Sequence, residues 1–125
     1  MKPEDKKLCR ELIYTGLERE CKQFVNEMKQ IANLVVPEDF NQSYQEIHGR
    51  HIEGPWHKRF IEIHNLANDF NQHIAERYDG MSGSRYINCV IGLYLDQLIT
   101  DEEISRFSEE IQTRINNIVS PHREE

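Results

Sequence analysis

Five of the six histidines in this 125-residue chain fall between His48 and His73: His48, His51, His57, His64 and His73. Imidazole changes charge near neutral pH, relays protons and ligates metals, so side-chain chemistry is concentrated in this run. His48, His51 and His57, with Glu53 among them, offer the nitrogen and carboxylate ligands that suit zinc or another transition metal, and they form the candidate metal site. His57 and His64 are seven residues apart and share one side of a helix, while His73 follows Asp69 by four and can pair with it. No HExxH or Glu-x-x-His spacing accompanies them, and no cofactor is expected.

Two further clusters carry functional groups. In Asp79-Gly-Met-Ser-Gly-Ser-Arg85, small residues ahead of a helical pattern leave backbone N–H groups open to an anion, with Ser82, Ser84 and Arg85 as the candidate anion-binding residues. There is no GxxxxGK[ST] pattern and no preceding strand; a helix stop, a turn and an N-cap account for the same residues. Arg59-Phe-Ile-Glu-Ile-His64 is an Arg-x4-His pair in a small helical chain. It resembles the motif of HEPN-type ribonucleases, which implies metal-independent RNA cleavage at a dimer cleft with Arg59 and His64 as catalytic residues. The resemblance covers those two residues; Phe60 stands where that family carries a polar side chain, and the pair sits mid-chain instead of in a late helix.

No GxSxG or comparable nucleophile setting is present. Without a complete catalytic set, the chain leans away from being an enzyme. The net charge of −7 opposes binding to a phosphate backbone. Only Arg50, Lys58 and Arg59, set against Glu53, form a small basic island, so a nucleic-acid partner is not expected. No apolar stretch approaches the roughly 20 residues that cross a bilayer, and the charged opening residues lead into no signal-like segment. Cys9, Cys21 and Cys89 are odd in number and lack CxxC spacing, which fits reduced thiols. A cytoplasmic location with no membrane contact is the resulting expectation.

The elements that must position these groups read as helices. Pro3 suits a helix start, and Ile13, Leu17, Cys21, Phe24, Met28, Ile31 and Val35 recur at spacings of three and four. Val36-Pro37 ends that pattern, giving a long helix over about 3–35 in which Gly16 is the weak point. A short helix is expected over 38–48. Pro55 launches another over 55–79, with Trp56, Phe60, Ile63, Ala67, Phe70, Ile74 and Tyr78 on its apolar stripe and Asp79-Gly80 as its stop. Residues 84–99 are apolar around much of the circumference, as in a well-covered helix. Thr100-Asp-Glu-Glu103 reads as a capping box opening a last helix over 101–119, which Ser120-Pro121 ends before a tail over 120–125.

No strand-like alternation appears. Four main helices, one short extra helix and brief loops predict an all-α, up-and-down antiparallel bundle in a single domain spanning 1–125. Tyr14, Val25 and Ala32 widen the stripe of the long first helix beyond what a small bundle covers. The expected function is therefore protein–protein contact or self-association, with a homo-oligomer or protein partner engaged through the N-terminal helix.

Overall fold

A computed structural model describes residues 1–36, 46–47, 50–51 and 54–123, with residues 46, 47, 50, 51 and 123 described by their backbone. The protein is an all-α helical bundle with a long N-terminal helix. In chain order the helices are α1 (Pro3–Asn33), α2 (Pro55–Tyr78), α3 (Arg85–Leu95), α4 (Asp101–Ile104) and α5 (Glu109–Arg123). Between α1 and α2, β1 (Glu46–Ile47) pairs antiparallel with β2 (Arg50–His51), Glu46 opposite His51 and Ile47 opposite Arg50. Residues 46–47 thus close a minimal ladder instead of the helix expected over 38–48. Its backbone bonds take the groups a helix would have used; the rest of that span lies outside the described residues. No helix among the described residues is long and apolar enough to cross a membrane.

The described chain forms two compact units, one of residues 1–22 and 74–125, the other of residues 23–73. The first holds the apolar core, built from Leu8 and Leu12 of α1, the buried faces of α3 and α5, and the linking residues Leu98, Ile99, Ile104 and Phe107. Six of the eleven residues of α3 are buried, in keeping with its all-round apolarity.

The buried face of α1 runs Asp5, Leu8, Cys9, Leu12, Gly16, Glu20. The stripe that large apolar residues mark from Ile13 to Ile31 is only half-buried, and Val35 is exposed. Gly16 causes the difference. A Cβ there would stand 2.6 Å from Leu93 Cδ1 and 2.9 Å from Cδ2, so the missing side chain admits Leu93 against the α1 backbone. The position that looked weakest as helix is where Leu93 of α3 packs directly on the α1 backbone.

Helix ends depend on contacts as much as on composition. α3 stops at Leu95, short of the expected 99, because Gln97 adopts a left-handed φ of 61°. Leu98 N–H then bonds Leu93 O at 2.9 Å and Gln97 N–H bonds Tyr94 O at 3.1 Å, a Schellman closure built without glycine. The capping box forms as expected: Thr100 Oγ1 accepts from Glu103 N–H at 3.2 Å, and Thr100 N–H donates to Glu103 Oε1 at 2.9 Å.

The helix expected over 101–119 is instead broken between α4 and α5. Buried Asp5 accepts from Ser108 N–H at 3.0 Å and from Ser108 Oγ at 2.7 Å, so α1 pins the residue that restarts the helix. Gln112 Nε2 satisfies the carbonyls of Ser105 and Phe107 left at the break, at 3.1 and 2.8 Å. Ser120-Pro121 does not end α5, which carries Pro121 inside its last turn and continues to Arg123. There the proline leaves the Asn117 carbonyl without its usual N–H donor, next to the last carbonyls that are unpaired within any helix.

Arg19 joins α1 to the capping box, donating from Nη1 and Nη2 to Glu103 Oε1 and Oε2 at 2.6 and 3.1 Å. Chiefly through this hydrogen bond, with smaller help from Thr100, the Glu103 carboxyl is held below its ordinary value of 4.5. A carboxylate whose pKa is lower in the folded chain stabilises it above the unfolded value and loses that contribution as pH falls through the folded one. Stability should therefore decline as pH drops below 4.5. Glu103→Gln should flatten that decline; urea midpoints measured on both sides of this pH check it, and parallel profiles for the two proteins would contradict it.

Candidate functional site

The residues around α2 are the place to test the histidine cluster. His57 and His64 stand exposed on α2, flanking Phe60 at ring-centroid distances of 6.4 and 6.0 Å. His73 is half-buried, its ring 6.2 Å from that of Phe70. Of the candidate metal ligands, His57 is thus placed on an open flank and His51 is placed by its backbone in β2. His48 and Glu53 lie outside the described residues. Among the described residues, no three His, Cys, Asp or Glu side chains gather as a metal ion would require.

Arg59 and His64 part company. Five positions on a helix turn the second by about 140° from the first. Arg59 is half-buried and its Nη1 donates to Ile31 O at 2.7 Å and Leu34 O at 2.9 Å. It thereby satisfies carbonyls at the C-terminal end of α1, a role its guanidinium fork suits. His64 is on the flank with Phe60. Local spacing carries no hint of the Arg59 role, because its partners lie 28 and 25 residues earlier.

In the anion candidate, Ser82 and Ser84 are exposed, and Ser84 makes no side-chain cap to α3. Arg85 turns back over the end of α2, where Nη2 donates to Asp79 O at 3.1 Å and Glu76 O at 3.3 Å. Arg85 also lines a cavity of about 250 Å³ together with Arg77, Asn88, Cys89 and Gly92.

Arg77 is the functional-looking group that sequence reading misses. Its Nη1 contacts Glu20 Oε2 at 2.7 Å and its Nη2 bonds the Asp96 carboxylate, while Tyr78 OH donates to Glu20 Oε1 at 3.4 Å. Burial, reinforced by the Glu20 charge, pushes the Tyr78 phenol well above its ordinary range. Two carboxylates already answer Arg77, so the cavity has little surplus positive charge for an anion. Only the phase of α1 could have revealed Glu20 as an inward residue, and Gly16 sets that phase.

The cysteines offer no activated nucleophile. Burial pushes the Cys9 thiol up to about 11, with Asp5 adding to the effect. Burial also raises Cys89, against the opposing pull of Arg77 and Arg85, and raises Cys21. A thiol held protonated is a poor nucleophile. All three are free thiols.

The feature that stands out is apolar surface. Among the described residues, six of the ten exposed large hydrophobic side chains lie within residues 23–73: Val25, Leu34, Val35, Trp56, Phe60 and Leu66. In that unit the second half of α1 and most of α2 run antiparallel. Phe24 and Phe70 stack with centroids 4.1 Å apart and planes 2° from parallel, and Arg59 meets the carbonyls of Ile31 and Leu34 further along. No residue of α2 is buried. The stripe expected to bury Trp56 and Phe60 leaves them 61% and 59% exposed.

Comparison with protein-family models, with curated proteins and with solved structures gives no significant match to this chain.

Proposed function

We propose that this protein works through protein–protein contact, and that it associates with itself through the apolar surface to which its long N-terminal helix contributes. The observation that carries the reading is the concentration of exposed Val25, Leu34, Val35, Trp56, Phe60 and Leu66 in one two-helix unit. Scattered single hydrophobic residues are ordinary on any protein surface, but their concentration in one small two-helix unit supports an interface there. The chemistry around it agrees. Arg59 and Arg85 are committed to helix-end carbonyls, Arg77 to two carboxylates, and the thiols are held protonated. Packing and charge pairing use the very groups a reaction centre would need.

Sedimentation equilibrium across micromolar concentrations tests this. The expected result is a species of twice the 14.9 kDa chain mass, dissociating on dilution. A protein that stays monomeric at the highest concentration reached, and whose apolar surface binds no other polypeptide, would overturn it.

A further inference from the structure

We infer that one side of the α1–α2 hairpin, formed by Val25 and Ala32 on α1 and Trp56, Phe60 and Ala67 on α2, pairs with the same side of a second copy to complete a four-helix assembly. This deepens the contact reading and rests on it. The side is defined by helix geometry. Phe24 and Ile31 of α1 meet α2, the first by ring stacking on Phe70 and the second through its carbonyl on Arg59. Val25 and Ala32 lie one residue further, and Phe60 lies one residue beyond Arg59, each turned about 100° in the same sense about its own axis. Because the two helices are antiparallel, equal rotations carry both flanks to the same side of the hairpin; in a parallel pair they would face opposite ways. Trp56 and Ala67 share the flank of Phe60 at spacings of four and seven. All five side chains are exposed.

Three properties select a second copy as the occupant. A two-helix hairpin has each helix packed along one stripe only, and the commonest complete solution adds two more helices around a shared core. A second hairpin of the same sequence supplies those two, with self-complementary contact about a two-fold axis. Charge is the second property. The chain carries −7, yet the α2 flank bears Trp56, His57, Phe60, His64, Ala67 and Asn71 with no acidic residue, and the charged residue beside Val25 and Ala32 on the α1 flank is the exposed Lys29. Glu62 and Asp69 each follow a flank residue by two positions and fall about 200° away around the helix. Two acidic molecules can therefore meet here without opposing carboxylates, whereas a strongly basic partner would find no carboxylate to pair with. Area is the third. An aromatic side chain buries roughly 150–250 Å², so Trp56 and Phe60 retain roughly 100 Å² or more each to lose. Both aromatics from two copies, joined by Val25, Ala32, Ala67 and the histidines stacked on Phe60, approach the order of 1,000 Å² of a specific interface.

Phe60→Glu tests the face, because it puts a carboxylate from each copy into the apolar contact. The expected result is self-association weakened by about 100-fold or more. Tyr14→Glu, on α1 but outside residues 23–73, should leave the mass unchanged. Trp56 is the sole tryptophan and reports on the face without any substitution. Its emission should shift to shorter wavelength and its quenching by acrylamide should fall as the wild-type protein is concentrated through the association range. A dimer that survives Phe60→Glu, or whose formation leaves Trp56 equally quenched, overturns this face while the contact reading stands. A wild-type protein monomeric throughout, with Trp56 shielded at every concentration, overturns the face and self-association together, since residues of the same chain would then cover the aromatics.

Discussion

Leu93→Ala should lower the unfolding free energy by about 3–5 kcal/mol, the upper part of the range for emptying a buried leucine site. Leu93 is completely buried, and its methyl groups fill the space that a side chain at position 16 would otherwise occupy. A cavity there is walled on one side by the α1 backbone at Gly16, which cannot lean inward as a side chain could. The loss would be a large share of the 5–15 kcal/mol typical of a small domain. The reciprocal change sharpens the prediction. Gly16→Ala gains about 1 kcal/mol of helix propensity, but it places a Cβ into the Leu93 methyls, and overpacking of this kind costs about 1–3 kcal/mol. Destabilisation should win, and Leu93→Ala should relieve it in the double variant. Urea denaturation of the three variants checks the scheme; a Leu93→Ala cost below about 1 kcal/mol would mean that α3 does not lie against α1 in this register.

Arg77→Ala should cost about 3 kcal/mol, because removing one member of a buried ion pair leaves the other charge in poor surroundings. The stranded group is Glu20, whose side chain is 9% exposed and whose carboxylate lies 2.7 Å from the guanidinium. Asp96 is half-exposed, so its bond to Arg77 contributes little of this cost. Arg77→Lys should recover only part of the loss, since a single ammonium cannot match a fork that serves two carboxylates at once. Glu20→Gln combined with Arg77→Ala should be less harmful than the sum of the two single changes. Additive costs in that cycle, read from urea midpoints, would show that the pair is not coupled.

The features legible in the sequence are those fixed by neighbours three or four residues away. Pro3 and Pro55 open α1 and α2, Gly80 takes the left-handed φ of 68° that stops α2, and Thr100 with Glu103 builds its box locally. The all-α class follows from such periodic and capping signals. Tertiary contact decided the rest. Counting large apolar residues puts the face of α1 on the Ile13–Leu17–Cys21 row, while the chain buries Gly16 and Glu20, because a glycine makes room for Leu93 and Arg77 answers the carboxylate. Phe70 reads as a core residue of α2 but is half-buried against Phe24, since a hairpin of two helices covers only one side of each. Gln97 ends α3 in a conformation usually left to glycine, and Asp5 sets the start of α5 from 103 residues away. The histidine cluster was visible as composition alone. Where His57 and His64 point, and that Arg59 holds the end of α1 instead of joining His64, depended on which side of α2 the first helix came to occupy, a choice made by packing between segments far apart in the chain.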